Sequence, residues 1–148
     1  MPVSVHYPSR ERKGLYFPFD FSYSIPVARN NGLKATFAPK PFADKVGTGC
    51  HIHISLTDLA GKNIFPSPSS PHGIHPLCAS FMAGILKHAR ALCAISLPTV
   101  GSYKRAQPGQ LASAFTAWGN ENREACLRVA TDKEAPNNVE FRFNDVGC

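Results

Sequence analysis

The seven-residue run CHIHISL, from Cys50 to Leu56, constrains the fold of this chain more than any other segment. Successive side chains of a β-strand point to opposite faces, so the four apolar residues of the run share one face. His51, His53 and Ser55 share the other face. The run therefore predicts a strand with one apolar side and one side that carries groups able to bind ligands.

The segment VEFRF, residues 139–143, repeats this pattern. The alternation places Val139, Phe141 and Phe143 in the core and Glu140 and Arg142 together on the opposite face. A carboxylate and a guanidinium on one face can neutralise each other across strands. Alternatively, the carboxylate binds a divalent cation and the guanidinium binds an anionic substrate group. Both readings stay open at this level.

A long amphipathic helix is predicted to end near Ser96. Its apolar residues recur at i, i+4 and i+7, Pro76 suits its first turn, and Pro98 ends it. We expect no membrane span, because charged or titratable side chains interrupt the apolar stretch at Lys87, His88 and Arg90.

The rest of the chain reads as short elements and loops. Residues 1–32 are predicted to be irregular, with a short helix near Ile25–Asn31 that Gly32 ends. Residues 99–110 are expected to form a loop. Short strands are predicted at residues 34–38, 113–118 and 125–129, in addition to the two alternating runs. A turn is predicted around residues 132–138.

Composition excludes several classes of protein. The 148 residues carry a net charge of +6, but no basic run exceeds Lys104-Arg105, so nucleic-acid binding is not expected. The five cysteines are odd in number and include no CxxC pair, which disfavours a disulfide framework or a structural zinc site. The N-terminus lacks the apolar core of a secretory signal. A cytoplasmic protein is therefore expected.

Glycines and arginines add candidate anion-binding groups. Gly47 and Gly49 allow a backbone to approach a ligand closely, although an ordinary glycine turn has the same appearance. Phosphoryl transfer needs several fixed cations around the phosphate oxygens, and Arg105, Arg123 and Arg128 could supply them. Each could equally be a solvent-exposed arginine, just as the two histidines could be hydrogen-bonded surface groups.

Five motifs in order carry a resemblance to a known family: KATFAPKPF, GTGCHIHISL, PTVGSYKR, AWGNENREACLRV and VEFRF. Together they resemble the catalytic domain of glutamine synthetase. The resemblance implies an α+β fold, a curved antiparallel sheet with helices packed on its outer side, in a ring-shaped homo-oligomer. It implies a partial catalytic domain at residues 33–148, after the irregular segment 1–32, with the family's N-terminal β-grasp domain absent.

The resemblance also implies roles for individual residues. Its metal ligands, for Mg²⁺ or Mn²⁺, correspond to His51 and Glu140. The groups that meet ATP correspond to His53, Ser55, Arg123, Arg128 and Lys133. Those that hold the carboxylate substrate correspond to Gly47, Arg105, Arg123 and Arg142, and Arg123 is also the implied catalytic residue because it meets the transferred phosphate.

Three positions depart from the family pattern. Leu111 stands where the family has a loop glutamate that helps to deprotonate ammonium, and leucine cannot accept a proton. Val46 replaces an asparagine on the substrate side, and Asn138 replaces an arginine. The amine acceptor is therefore left open.

The implied activity is that of an ATP-dependent carboxylate-amine ligase. It would form an amide on glutamate through an acyl phosphate, with ammonia or another amine as acceptor. The alternative is a catalytically inactive structural or regulatory homologue, which Leu111 favours. No membrane or nucleic-acid partner is expected in either case.

Overall fold

A computed structural model of the protein describes residues 21–111, 114–132 and 135–145. This part of the chain contains, in order, α1 (Phe21–Asn30), β1 (Ile52–Ile54), α2 (Pro76–Ser96), α3 (Val100–Arg105), β2 (Phe115–Asn120), β3 (Ala125–Asp132) and β4 (Ala135–Phe141). The strands form one sheet in the order β1-β4-β3-β2. The predicted α+β class is confirmed.

The sheet is mixed, which corrects the expectation of a wholly antiparallel one. β4 pairs antiparallel with β1 and with β3, whereas β2 pairs parallel with β3. The reason lies in the connection after β2, where Glu121 adopts φ 51° and donates its N–H to the Val129 carbonyl. The chain then runs back to start β3 at Ala125, beside Phe115.

The core lies between the sheet and α2. His75 caps this helix by accepting a hydrogen bond from the Leu77 N–H, and Pro76 occupies its first turn. The amphipathic stripe packs on the apolar sheet face, as predicted. The buried apolar side chains of this core are Leu56, Phe65, Ile74, Cys78, Met82, Ala89, Leu97, Cys126, Leu127, Val129, Val139, Phe141 and Phe143.

Among the described helices, α2 has the length and composition that a membrane crossing would need. It also carries Lys87 and Arg90 and contributes buried side chains to the core. The expectation that it does not cross a membrane stays a prediction.

Three sequence expectations need correction. Residues 34–38 form no strand. Alternating apolar residues can line one face of a strand, but a strand also needs a neighbouring strand to pair with, and the nearby Pro39 and Pro41 have no N–H to donate. The predicted loop 99–110 contains α3, which Thr99 starts with a capping box to Ser102. The predicted turn at residues 132–138 is largely part of β4, which holds Pro136 next to a register shift.

The prediction of a short helix before Gly32 is confirmed, although the helix begins at Phe21, four residues earlier than predicted. α1 covers the predicted short helix, and Gly32 follows it at φ 69°, the left-handed conformation that commonly ends a helix. Residues 1–20 lie outside the described residues.

Candidate active site

Glu140 lies at the centre of the polar sheet face. Its neighbours in β4, Val139 and Phe141, point into the core, so alternation sends the carboxylate to the other side. The strand register places Glu140 opposite His53 of β1 and opposite Arg128 of β3. Three strands thus bring a carboxylate, an imidazole and a guanidinium into one row.

The Glu140 carboxylate is shared among four basic side chains. One oxygen, Oε1, lies 2.7 Å from His51 Nδ1 and 3.6 Å from His53 Nε2. The other, Oε2, accepts hydrogen bonds from Arg142 Nη1 at 2.6 Å and from Arg128 Nε. The Glu140 side chain is only 3% exposed, whereas His51 and His53 are 32% and 40% exposed. Solvent and ligands can therefore reach this cluster from the histidine side.

The partners of Glu140 keep it ionised. Burial by itself raises the pKa of this carboxyl group. Hydrogen bonds from His51, Arg142 and Arg128 outweigh burial, so the net pKa lies far below the usual range for glutamate. Glu140 is thus a fixed negative charge on the polar sheet face.

Two side chains of the cluster carry atoms that suit a divalent cation as ligands. An imidazole nitrogen and a carboxylate oxygen suit Mn²⁺ and, with more oxygen ligands, Mg²⁺. His51 and Glu140 supply one of each and already converge at 2.7 Å. Within the described ranges, no group of three or more His, Cys, Asp or Glu side chains is arranged to hold a metal ion. These two residues could hold a metal only together with ligands from elsewhere.

His53 has a partner that the sequence did not predict. Its Nδ1 lies 2.9 Å from Asn138 Oδ1 on the neighbouring strand. An amide oxygen can only accept, so Nδ1 of His53 is the donor in this contact. Asn138, one of the departures from the family pattern, thus orients a histidine of the site.

Arg128 bridges two carboxylates on the polar face. Besides Glu140, it contacts Glu121 through Nη1, which lies 2.7 Å from Oε2. Hydrogen bonds from Thr131 lower the pKa of Glu121, as does the charge of Arg128. Glu121 follows β2 at a positive φ, and no local pattern marks it, so sequence reasoning missed it.

Arg142 lies beside Arg128 and is 4% exposed. Its Nε donates to the Arg123 carbonyl at 3.3 Å and its Nη2 donates to the Leu111 carbonyl at 3.2 Å. Arg123 thus meets the cluster through its backbone, while the residue itself is exposed. Ser55 is partly exposed just after β1.

Arg105 is buried, and its guanidinium pairs with a carboxylate of the chain. It is 2% exposed and donates from Nη1 to Asp145 Oδ1 at 2.9 Å and from Nη2 to the Arg142 carbonyl at 3.1 Å. The glycine loop covers it: a Cβ at Gly49 would lie 2.1 Å from Arg105 Nη2, and one at Gly47 would lie 2.8 Å from Arg105 Cγ. The glycines allow this close approach, and a substrate role for Gly47 and Arg105 stays a prediction.

Lys133 lies outside the described residues, so its predicted contact with ATP stays a prediction. The structure brings His51, His53, Arg128, Glu140 and Arg142 together by direct side-chain contacts.

The known proteins that this chain resembles belong to one family. The model of the family "Glutamine synthetase, catalytic domain" matches residues 23–148. A glutamine synthetase of Methanocaldococcus jannaschii is 46% identical over 82% of the chain, and one of Thermotoga maritima is 41% identical over 80%. The chain covers 27% of the length of each of these relatives.

A solved structure described as "Apo GmaS without ligand" is similar in fold, with a TM-score of 0.65 and 38% identity. The similarity covers 82% of this chain and 27% of that one.

Proposed function

The chain belongs to the glutamine synthetase catalytic-domain family, and we propose that it contributes to an ATP-dependent carboxylate-amine ligase. In this reaction ATP phosphorylates the side-chain carboxylate of glutamate, and an amine then displaces phosphate to form an amide. The observation that carries the proposal is the Glu140 cluster, in which one buried carboxylate meets His51, Arg128 and Arg142 on the polar sheet face.

Each side chain of the cluster has a role in this proposal. Arg142 holds the substrate carboxylate, because a guanidinium matches its two oxygens. Arg123 offsets the charge that builds up on the transferred phosphoryl group, and Arg128 meets ATP. His53 meets ATP, and Ser55 lies next to it. A bound Mg²⁺ or Mn²⁺ would neutralise phosphate charge, with His51 and Glu140 among its ligands.

The amine acceptor is the least constrained part of the proposal. Leu111 is 52% exposed and offers neither a base nor a negative charge to an ammonium ion. Loss of a general base reduces the rate by about 10²- to 10⁴-fold. We therefore propose that an amine other than ammonia is the better acceptor. We also propose that the enzyme is a cytoplasmic homo-oligomer.

The second candidate is a homologue without catalytic activity. Two observations favour it: Leu111 stands in place of a carboxylate, and within the described ranges no three potential metal ligands form a ready site. In this case the cluster would stabilise the sheet without turnover.

Nucleotide binding and phosphate release test the proposal. We expect the chain to bind MgATP weakly by calorimetry, and we expect Arg128→Ala to reduce that binding further. Arg90→Ala, which changes an exposed arginine on α2, is the control and should have no effect. Phosphate release that requires both glutamate and an amine would support the ligase. Equal binding by both variants and no phosphate release would favour the inactive homologue.

The acceptor is tested separately with Leu111→Glu. We expect this variant to raise ammonium-dependent phosphate release relative to larger amines. A wild-type rate with ammonium that the substitution fails to raise would contradict the role given to Leu111.

A further inference from the structure

A side chain without a role in the proposed reaction holds the backbone loop at residues 109–111. Glu124, just before β3, accepts hydrogen bonds from the Leu111 N–H at 2.9 Å and from the Gly109 N–H at 3.3 Å. From another direction, Lys40 Nζ donates to Gln110 Oε1 at 2.7 Å. Side chains distant in sequence thus anchor three consecutive residues.

The loop needs these contacts because its conformation is unfavourable on its own. Leu111 adopts φ 54°, in the left-handed region that is unfavourable for a residue with a side chain. Its side chain is 52% exposed, so burial offsets little of that cost. A charged acceptor forms stronger hydrogen bonds than a neutral one, which makes Glu124 an effective anchor.

The anchored loop in turn covers part of Arg142. The Leu111 carbonyl accepts a hydrogen bond from Arg142 Nη2, while Glu140 and the Arg123 carbonyl engage Nη1 and Nε. Arg142 is 4% exposed. Nη2 carries two N–H groups and the Leu111 carbonyl accepts from one of them, so a carboxylate that approaches this nitrogen competes with the carbonyl.

We propose that Glu124 is a positioning residue that keeps the loop 109–111 on Arg142, so that a substrate carboxylate gains this guanidinium only when the Glu124 contacts open. The second half of this inference rests on the proposed substrate role of Arg142. The first half, that Glu124 holds the loop 109–111 on Arg142, can be tested on the chain without any activity.

Nuclear magnetic resonance of the ¹⁵N-labelled chain tests the first half. In Glu124→Gln we expect the Gly109 and Leu111 amides to exchange with solvent about threefold or more faster, since a neutral amide holds them less tightly. We also expect the Arg142 side-chain NH resonances to shift. Asp44→Asn is the control, because Asp44 is exposed and pairs only with its neighbour Lys45 among the ion pairs of the described residues.

Glu124→Asp provides a second variant, since it keeps the charge but is one methylene shorter and should give the same changes. Unchanged exchange of both amides in the folded variants would overturn the inference. Faster amide exchange with unmoved Arg142 resonances would also overturn it, because the loop would then be uncoupled from the guanidinium.

Titration with glutamate tests the second half. We expect the Arg142 resonances of Glu124→Gln to respond at about threefold lower glutamate concentration than those of the wild type, because the Leu111 carbonyl competes less. Glutamate that moves Arg142 in neither protein would overturn the substrate half, together with the proposed role of Arg142. The exchange result would be unaffected.

Discussion

Two buried arginine–carboxylate pairs of this domain lie close together and differ in accessibility. Arg105 and Asp145 are 3% and 4% exposed, and the glycine loop of residues 47–49 packs directly on the guanidinium. Glu140 is equally buried, but two partly exposed histidines flank it. Among the described residues, solvent hardly reaches Arg105 and Asp145, which we call the closed pair. Solvent reaches Glu140 from the side of His51 and His53, and we call this group the open cluster.

This difference in exposure gives the two pairs different access to a ligand. A closed pair cannot accept a ligand without unfolding its cover, and breaking it leaves an uncompensated charge in the interior. A solvent-accessible carboxylate with several cationic partners can exchange one partner for a ligand at a smaller free-energy cost. The family resemblance assigns Arg105 and Arg142 to the same task, and both are buried. Only Arg142 pairs with the carboxylate that the partly exposed histidines flank.

The closed pair should give the largest loss of stability. Arg105→Ala leaves Asp145 buried without its guanidinium, and we expect the free energy of unfolding to fall by about 3–5 kcal/mol. Urea unfolding followed by circular dichroism measures this change. A loss below about 1 kcal/mol would mean that water reaches Asp145 and that the pair is not closed.

The open cluster should show the next largest effect, and this effect depends on pH. The folded-state pKa of Glu140 is lowered from 4.5, so its contribution to stability is present above pH 4.5 and is lost as pH falls toward the folded value. We expect Glu140→Gln to cost about 1.5–3 kcal/mol at pH 7. The difference between the two proteins should shrink below pH 4.5. A difference that stays constant down to pH 3 would contradict the assigned shift.

Packing around the closed pair gives a third test. Gly49→Ala places a Cβ within 2.1 Å of Arg105 Nη2, and we expect a loss of about 1–3 kcal/mol. Thermal unfolding of the purified variant provides the measurement. Stability equal to that of the wild type would show that Arg105 can move away and that its cover is loose.

The matched control is the smallest expected effect and has the opposite sign. Gly84 lies inside α2, and a Cβ at this position would have nothing within 4 Å of it. Gly84→Ala should therefore stabilise the chain by about 0.5–1 kcal/mol, since alanine favours a helix interior. Destabilisation by this change would indicate that the outer face of α2 packs against another surface.

Local patterns predicted much of this structure. The apolar stripe of α2 and the alternation of residues 139–143 are properties of neighbouring residues, so the sequence indicated both the core and the polar face. The convergence of His51 and Glu140 followed from the same alternation together with the family resemblance, and their separation is 2.7 Å.

Long-range pairing explains what was missed. Asp145 and Arg105 are far apart in sequence, as are Glu124 and Leu111, and no periodicity marks either pair. The parallel pairing of β2 depends on a backward turn after Asn120. The capping pair Thr99 and Ser102 was the one local pattern that could have revealed α3.

The proposed ligase requires the open cluster around Glu140 to bind a divalent cation together with ATP. Paramagnetic broadening by Mn²⁺ tests it directly in the ¹⁵N-labelled chain, and weak binding is sufficient. With MnATP we expect the resonances of His51, His53 and Glu140 to broaden first. The broadening should disappear in Glu140→Gln and persist in His88→Ala, which removes an exposed helical histidine. Equal broadening in Glu140→Gln, or broadening centred elsewhere, would contradict the account.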